Sequence, residues 1–427
     1  MLRPETTEAY LSILREELVP ATGCTEPIAL AYAAARLRAL LGAAPARIEA
    51  EISGNIIKNV KSVVVPNTGG RKGIAAAIAA GVVAGDAARE LQVIAEVPAA
   101  QHAAIGAYAD ATPIAIRCAD TTRLLDIRLT GFAGAHTATV QIANSHTNIV
   151  FESRDGETLL QKPFTDSPED NLTDKSVLNV ADILEFADTV DLARVQDLLE
   201  AQLSCNLAIA QEGFAHPWGA QVGAILLAET PDPDAKTEAK AWAAAGSDAR
   251  MSGCEMPVVI LSGSGNQGIT ASVPVARWAL RLGASQEKLY RALLVSDLVT
   301  IEQKSGIGRL SAYCGAVSAG VGAGAGIAYL LDGSYAAVAH TVVNAVAILS
   351  GTICDGAKPS CAAKIAASVD AGILGYQMYK HRREFKGGEG IVTKGVDNTI
   401  RNVGILASEG MRETDRTILS LMTRPCD

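Results

Sequence analysis

The chain has 427 residues and a formal net charge of −9, and 49% of its residues are hydrophobic although only 4% are aromatic. This length allows two or three domains around a large core of small aliphatic side chains. The negative charge argues against nucleic acid as a partner. In addition, no segment combines a basic stripe with aromatic residues. Eight cysteines without CxxC pairs indicate neither a disulfide framework nor a typical zinc site, so we expect a reducing, cytoplasmic compartment.

The N-terminal part begins with two predicted helices, at 5–19 and from about Glu26 to Leu41. Between them, GCTEP places Cys24 just outside a helix that Thr25 is expected to cap, a position that lowers the pKa of a thiol. From about residue 45 the pattern predicts a mixed α/β block. Its predicted strands are ARIEAEIS, KSVVVPN, LQVIAEV, IAIRC, LLDIRLTG, HTATVQIAN and NIVFESRDG, and its predicted helices are RKGIAAAIAAGVVAG and AAIGAYAD. A polar connector at 166–175 ends the block.

Three cysteines near the C-terminal end lie in small, apolar stretches: Cys314 in SAYCGAVSAG, and Cys354 and Cys361 in GTICDGAKPSC. On one continuous helix the last two would be roughly 10 Å apart, but Gly356 and Pro359 predict helix, tight loop, helix. Cys361 then falls in the first turn of the second helix, where the dipole favours a thiolate. Three buried thiolates from two segments suit an iron–sulfur cluster with one open iron. The alternative is three ordinary buried cysteines, which pack as small hydrophobic residues.

From about residue 176 onward the chain shows almost no strand pattern. Two uncharged stretches, 315–331 and 335–353, lack the aromatic belts and basic flanks of a membrane span, so we predict central helices of a soluble bundle. If Cys24 joins the other cysteines, the N-terminal helices pack with this helical part. We therefore predict an α+β fold. Residues 1–42 and 176–427 form a discontinuous catalytic domain of packed Ala/Gly-rich helices, and 43–175 form an inserted α/β domain.

Several polar segments are candidates for substrate binding. SGSGNQG at 262–268 precedes a predicted helix, where free N–H groups suit a carboxylate, although it is also typical of a turn between packed helices. SHTNI at 145–149 and SGNIIKNV at 53–60 supply further polar groups, with a structural histidine and a solvated strand edge as the alternatives. Lys358 must lie near two of the thiolates, and a nearby cation stabilises them. The predicted substrate-binding residues are Asn55, Asn148, Ser264, Asn266, Gln267 and Lys358.

Five motifs occur in a fixed order: GCTEP, SHTNI, GSGNQG, SAYCGAVSAG and CDGAKPSC. Together they resemble the L-cysteine desulfidase family over essentially the whole chain. In its C-terminal half that family is similar to the α part of iron–sulfur L-serine dehydratases. By similarity to those enzymes we expect this chain to form a homodimer. The resemblance implies a [4Fe–4S] cluster carried by Cys314, Cys354 and Cys361. It also implies conversion of L-cysteine to pyruvate, ammonia and sulfide without pyridoxal phosphate.

The implied chemistry requires a Lewis acid for the departing sulfide, which an open iron supplies, and a base with a pKa near neutrality. The candidates for the base are Cys24, Lys58 and His146. Cys24 has three possible roles: cluster ligand, proton acceptor or sulfur carrier. The expected partner is a small amino-acid substrate, neither nucleic acid nor a membrane. The alternatives are an L-serine dehydratase with the same cluster and a cluster-bearing redox sensor. The remaining cysteines match no motif of the family: Cys118, Cys205, Cys254 and Cys426.

Overall fold

The structure is a computed structural model that describes residues 2–121, 123–163 and 172–423. Cys426 and residues 166–171 of the predicted connector lie outside the described residues. The predicted α+β, mostly helical fold is confirmed. The α-helices of the described residues are α1 Pro4–Glu17, α2 Thr25–Leu41, α3 Gly54–Val60, α4 Gly73–Ala84, α5 His102–Ala111, α6 Val180–Thr189, α7 Gln196–Ala215, α8 Val222–Ala228, α9 Ala235–Met251, α10 Gly265–Leu282, α11 Gln286–Ile307, α12 Gly315–Leu331, α13 Tyr335–Leu349, α14 Cys361–Lys380, α15 Val396–Ile405 and α16 Arg412–Thr423.

The strands form two sheets. They are β1 Val19–Thr22, β2 Arg47–Ile52, β3 Ile114–Cys118, β4 Asp126–Ala133, β5 His136–Ala143, β6 Ile149–Arg154, β7 Glu157–Gln161 and β8 Pro257–Ile260. The larger sheet has the order β3-β2-β4-β5-β6-β7, and only β2 and β3 run parallel. The small sheet pairs β1 with β8, antiparallel, with Val19 opposite Ile260. It therefore ties the segment just before GCTEP to the segment just before SGSGNQG.

Helix α2 packs on the larger sheet rather than on the C-terminal helices. Its buried residues, such as Ile28 and Leu37, share one apolar core with Ile48, Ile127 and Val140 of the sheet. Helix α1, by contrast, belongs to the core of the helical part. The expectation that both N-terminal helices pack with the helical part therefore differs from the structure at α2. Because α2 is buried nearly all round, its sequence shows no single apolar face that would reveal its partner. The domain limits at 42 and 175 stay a prediction.

The two uncharged stretches form α12 and α13, which are central helices of the largest core. Among the described residues, no helix is long and apolar enough to cross a membrane. Glycines let α12 approach α14 closely. A Cβ added at Gly324 would lie 2.6 Å from the Cα of Gly372, which no real side chain tolerates.

Two strand predictions were wrong, and one open alternative is excluded. LQVIAEV, residues 91–97, supplies the last two residues of a 3₁₀-helix at Ala87–Gln92 and then forms turns. The Asp86 side chain caps this helix, and Glu90 within it adopts a positive φ. KSVVVPN contributes only an isolated bridge between Val64 and Lys72. SGNIIKNV forms α3, so Lys58 is a buried helical residue and does not lie on a solvated strand edge. β1 and β8 were missed because each has only four residues.

Candidate active site

Parallel packing of α12 and α14 brings Cys314 and Cys361 together. Gly320 of α12 lies against Ser368 of α14, and Gly324 lies four residues further on against Gly372. Because both contacts advance in the same direction, the helices run parallel and their N-termini are neighbours. Cys314 is the residue immediately before α12, and Cys361 is the first residue of α14, as its predicted place in the first turn requires.

Cys354 reaches the same place through a short backbone pairing. Tyr313 and Ile353 form an isolated antiparallel bridge. Beside it, the N–H of Cys314 donates to the carbonyl of Thr352 at 3.0 Å, and the N–H of Cys354 donates to the carbonyl of Ala312 at 2.6 Å. Backbone hydrogen bonds of Cys314 and Cys354 thus connect two segments that lie forty residues apart in the sequence.

The three thiols lie close enough to influence one another's ionisation. Burial, with the charges of Cys354 and Cys361, raises the pKa of Cys314 to about 12. Burial also raises the pKa of Cys361, against the lowering effect of a hydrogen bond to the backbone at Lys358. Backbone groups at the start of α14 favour the Cys361 thiolate as predicted, but burial outweighs them and the pKa is raised overall. A metal cation is what ionises a buried thiol of this kind.

Lysine side chains surround the thiols. Lys304 of α11 is 5% exposed. Burial lowers its pKa to about 8, while the charges of Cys354 and Cys314 raise it. Lys364 of α14 donates to the carbonyl of Ile353 at 2.8 Å and to Asp355 at 2.7 Å. Against the lowering effect of burial, its pKa is raised mainly by Asp355, with smaller contributions from Cys314 and Cys361. These cations offset negative charge on the three sulfurs.

The GCTEP motif forms a buried cluster of polar groups at the start of α2. The residue before the first helical position is Cys24, and Thr25 donates instead to the carbonyl of Gly263 at 3.1 Å. The Cys24 thiol donates to Oε2 of Glu26 at 3.0 Å, and Nδ2 of Asn59 donates to Oε1 at 2.9 Å. Burial and the neighbouring Glu26 raise the pKa of Cys24 well above its usual value. The predicted lowering of this pKa is therefore wrong, because burial outweighs the helix dipole.

His146 lies beside this cluster. Burial lowers its pKa, Glu26 raises it, and Arg309 lowers it again. Its Nε2 atom is buried and has no hydrogen-bond partner among the residues that the structure describes. Burial alone would raise the pKa of Glu26, but His146 and hydrogen bonds from Cys24 and Asn59 lower it. Because His146 is neutral at pH 7, the hydrogen bonds are the main support of the ionised Glu26 there.

The SGSGNQG turn connects GCTEP with the cysteines. Ser264 precedes α10, and Asn266 and Gln267 lie in its first turn. A Cβ added at Gly315, next to Cys314, would lie 2.7 Å from Cδ of Gln267. The Gln267 Oε1 atom is buried and has no partner in the described part of the chain. Oδ1 of Asn266 instead accepts a hydrogen bond from Arg250 at 3.2 Å.

Helix α3 packs against the CDGAKPSC loop. Gly356, at φ +93°, lies so close to α3 that an added Cβ would be 2.4 Å from the carbonyl oxygen of Lys58. Lys58 is 2% exposed and forms an ion pair with Asp415 of α16. This ion pair makes Lys58 a weak candidate for a proton acceptor. On the same helix, Oδ1 of Asn55 is buried and unpartnered within the described residues.

Two predicted residues make mainly local contacts. Asn148 donates to the carbonyl of Ala143 at 3.0 Å, which closes the turn between β5 and β6. Lys358 forms an ion pair with Asp355 and donates to the carbonyl of Gly356 at 3.3 Å, although its charge also acts on Cys361. Cys118 is exposed, Cys205 is partly buried, and Cys254 is buried.

Sequence reasoning missed four groups of this site: Glu26, Lys304, Arg309 and Lys364. Glu26 belongs to the motif GCTEP itself, where attention fell on the cysteine. Lys304 and Arg309 precede Cys314 by ten and five residues, and Lys364 follows Cys361 by three. Basic residues within ten positions of cysteines, in an otherwise apolar helical segment, were the sequence feature that could have indicated these groups.

The donor set fits an iron–sulfur cluster. Within the described ranges, no three His, Cys, Asp or Glu side chains are arranged to hold a single metal ion. A cluster does not need such an arrangement, because each thiolate binds its own iron. Three mutually interacting thiols with lysines beside them are the appropriate chemistry for such a group.

Comparison with known proteins identifies the family. The profile of the serine dehydratase alpha chain matches residues 88–420. The chain belongs to this family. It is similar to UPF0597 proteins over nearly the full length of both partners. That of Desulfitobacterium hafniense (strain Y51) is 55% identical over 98% of this chain and 97% of its own length. Those of Finegoldia magna and Treponema denticola are 47% and 44% identical, with 97% and 98% of this chain and 99% and 98% of their own lengths covered.

The family match includes every motif of the site except GCTEP and α3, which precede residue 88. The UPF0597 relatives cover those segments as well. The match to the serine dehydratase alpha chain thus covers α12 and α14 with their cysteines. The segment that carries Cys24 and Glu26 lies outside that match, within the length covered by the UPF0597 relatives.

Proposed function

We propose that this member of the serine dehydratase alpha chain family is an iron–sulfur-dependent L-cysteine desulfidase. It would release sulfide from L-cysteine by β-elimination and give pyruvate and ammonia. The observation that carries the proposal is a group of three mutually interacting thiols, of which Cys314 is buried and the other two are partly buried, near two lysines. A separate carboxylate–histidine cluster accompanies it. One part suits a metal cluster, and the other suits proton transfer.

Cys314, Cys354 and Cys361 would hold a [4Fe–4S] cluster, and Cys24 would not. The Cys24 thiol is already a hydrogen-bond donor to Glu26, and both burial and that carboxylate raise its pKa. The cluster, when bound, supplies a Lewis-acidic iron that takes the negative charge of the departing sulfur. Lys304 and Lys364 offset the charge of the sulfur ligands.

The polar groups around the turn would orient the amino acid. Free N–H groups at the start of α10, at Gly265 and Asn266, suit the substrate carboxylate. The unpartnered oxygens of Gln267 and Asn55 are acceptors only, so they suit the substrate ammonium group. Buried acceptors of this kind cost free energy until a donor reaches them.

His146 would remove the α-proton. Its neutral imidazole has a free Nε2 atom, and the Glu26 carboxylate stabilises the imidazolium that forms. As the proton moves to Nε2, the Cα–H electron pair forms the Cα–Cβ double bond and the Cβ–S bond breaks. The resulting enamine tautomerises and hydrolyses in water to pyruvate and ammonia.

The test is an assay of the full chain after anaerobic cluster reconstitution. Sulfide and pyruvate are measured with L-cysteine, and pyruvate with L-serine, on one sample. We expect equal amounts of sulfide and pyruvate and a higher kcat/KM for L-cysteine. His146→Asn should keep the iron content and lose turnover. Cys205→Ala, which changes a cysteine of α7 outside this site, should keep both iron and turnover.

L-Serine dehydratase activity is the second candidate, and the match to the serine dehydratase alpha chain favours it. A higher kcat/KM for L-serine in the same assay would replace the first proposal by this one. A loaded cluster without turnover of either amino acid would instead indicate a redox sensor.

A further inference from the structure

Asn59 of α3 has a side-chain oxygen that the proposed reaction does not use. The residue is 8% exposed, and its Nδ2 atom donates to Oε1 of Glu26 at 2.9 Å. Because an ionised carboxylate only accepts hydrogen bonds, the amide must turn its N–H₂ group toward Glu26. Its Oδ1 atom therefore faces away from Glu26, and it is buried without a hydrogen-bond partner among the residues that the structure describes.

Two more amide oxygens of the candidate active site are in the same situation. Oδ1 of Asn55 and Oε1 of Gln267 are also buried and unpartnered within the described ranges. Asn55 precedes Asn59 by four residues, so both side chains lie on the same face of α3. Each buried acceptor costs free energy until a donor reaches it, and together they favour one ligand with several donors.

Asn59 and Gln267 border the segments that carry the three thiols. A Cβ added at Gly356, in the loop before α14, would lie 3.6 Å from Cα of Asn59. A Cβ added at Gly315, the first residue of α12, would lie 2.7 Å from Cδ of Gln267. The amides therefore lie beside the segments that carry the sulfur atoms, within reach of a small amino acid bound there.

We propose that Asn59, together with Asn55 and Gln267, binds the α-ammonium group of the substrate and couples it to Glu26. An ammonium group has three N–H donors, which match the three amide oxygens, whereas a water molecule has only two donors. The substrate class is therefore a primary α-amino acid. The inference rests on the proposed function for the reaction that follows, but the binding of the ammonium group is tested without it.

The amide of Asn59 connects substrate binding to the base. Its Oδ1 atom accepts from the ammonium group while its Nδ2 atom donates to Glu26, so cation, amide and carboxylate form one polarised chain. The bound cation strengthens the hydrogen bond to Glu26, and the Glu26 carboxylate stabilises the imidazolium of His146. Asn59 is thus a positioning residue for Glu26 as well as a binding residue.

L-Alanine is the probe, because it has the ammonium and carboxylate groups of the substrate but no leaving group. Isothermal titration of the cluster-loaded full chain should show saturable binding of L-alanine. N-methyl-L-alanine keeps only two N–H donors and should bind about 10–100-fold more weakly, and propionate, which has none, should bind more weakly still. Absence of L-alanine binding overturns the inference, and so does equal affinity for L-alanine and its N-methyl form.

Variants separate the two roles of Asn59. Asn59→Leu should weaken L-alanine binding by about tenfold or more and reduce the preference over N-methyl-L-alanine. Asn59→Asp keeps an acceptor for the ammonium group but cannot donate to Glu26. It should therefore bind L-alanine within about threefold of the unaltered chain and lose turnover of L-cysteine.

Asn206→Leu is the matched control. Asn206 of α7 is fully buried, donates to the Val259 carbonyl and to Ser272, and accepts from the Val259 N–H. This variant should lose stability but keep the affinity for L-alanine and the preference over the N-methyl form. Unchanged L-alanine affinity in Asn59→Leu overturns the inference, and Asn55→Leu supplies the same test if Asn59→Leu does not fold.

The two proposals fail in different ways. Selective binding of L-alanine without turnover of L-cysteine or L-serine contradicts the proposed function and supports the ammonium site. Turnover of L-cysteine with unchanged L-alanine binding in both leucine variants of α3 contradicts the ammonium site alone.

Discussion

Replacing Glu26 by Gln tests the carboxylate–histidine cluster most directly. The carboxylate accepts hydrogen bonds from Cys24 and Thr25 on Oε2, at 3.0 and 3.2 Å, and from Asn59 on Oε1, at 2.9 Å. An amide has one oxygen and one N–H₂ group, so it satisfies only one side of this arrangement. A buried donor is left unpaired, which costs about 1–3 kcal/mol. Removal of a buried charge offsets part of this loss, and we expect a net destabilisation of roughly 1–2 kcal/mol.

The effect on turnover should be larger than the effect on stability. Without the charge of Glu26, the imidazolium of His146 loses its stabilising neighbour. Because Glu26 raises the pKa of His146, the acid limb of the kcat profile should move to lower pH in Glu26→Gln. General acid–base catalysis contributes about 10²–10⁴-fold, and we expect kcat to fall by about 100-fold at pH 7. Iron content should stay unchanged, because the three ligand cysteines lie on other elements.

Glu152→Gln is the matched control. Glu152 is also buried, at 5% exposure, and it accepts two hydrogen bonds from Arg36, at 2.7 and 2.9 Å. It lies on β6, whereas the ligand cysteines lie on or beside α12 and α14. This variant should lose a similar amount of stability in urea unfolding and keep its kcat. If Glu26→Gln retains kcat within about threefold and keeps its acid limb, the assigned role of Glu26 is wrong.

Three further outcomes are expected. Cys361→Ala should lose most of the roughly four iron atoms per chain that the cluster type requires, measured by iron analysis after anaerobic reconstitution, whereas Cys205→Ala should keep them. Burial raises the pKa of Asp297 to about 7 from 3.8, so its stabilising contribution is complete below pH 3.8 and is lost as pH rises through 7. The change in the free energy of unfolding caused by Asp297→Asn should therefore be more stabilising at pH 8 than at pH 4, by up to about 4 kcal/mol. Equal effects at both pH values contradict this. Gly356→Ala should cost about 1–3 kcal/mol, because φ is +93° and the added Cβ meets the Lys58 carbonyl. An unchanged Tm contradicts the close approach.

Local structure was predictable from the sequence where glycine or proline marks the end or the start of an element, or where apolar residues alternate. Pro359 precedes the start of α14 at Cys361 as predicted. The preceding helix, α13, already ends at Leu349, seven residues before Gly356, so the connection is longer than the predicted tight loop. The strands from Ile114 to Arg154 follow alternating apolar residues, and each of them appears in the sheet. These features depend on neighbouring residues only, so a single sequence contains the information.

Long-range packing was not predictable in the same way. Helices α2 and α12 are buried nearly all round, so neither shows a polar face that would orient it. The parallel contact of α12 with α14 depends on glycines at 320, 324 and 372, which in sequence look like an ordinary Ala/Gly bias. The roles of Lys304 and Arg309 depend on that packing, because it decides which charged side chains are buried near the cysteines and His146.

The sequence predicted where these thiols lie but not their ionisation state, because that state depends on the balance between burial and helix dipoles. Cys24, Cys314 and Cys361 all lie at the start of a helix, where a dipole is worth about 0.3–1 kcal/mol at the surface and up to ~2 kcal/mol when partly buried. Loss of water around a charge is worth several kcal/mol. The larger effect decides, so the pKa of each thiol is raised. Cys314 and Cys361 therefore ionise when a cation binds them, whereas Cys24 stays a thiol that donates to Glu26.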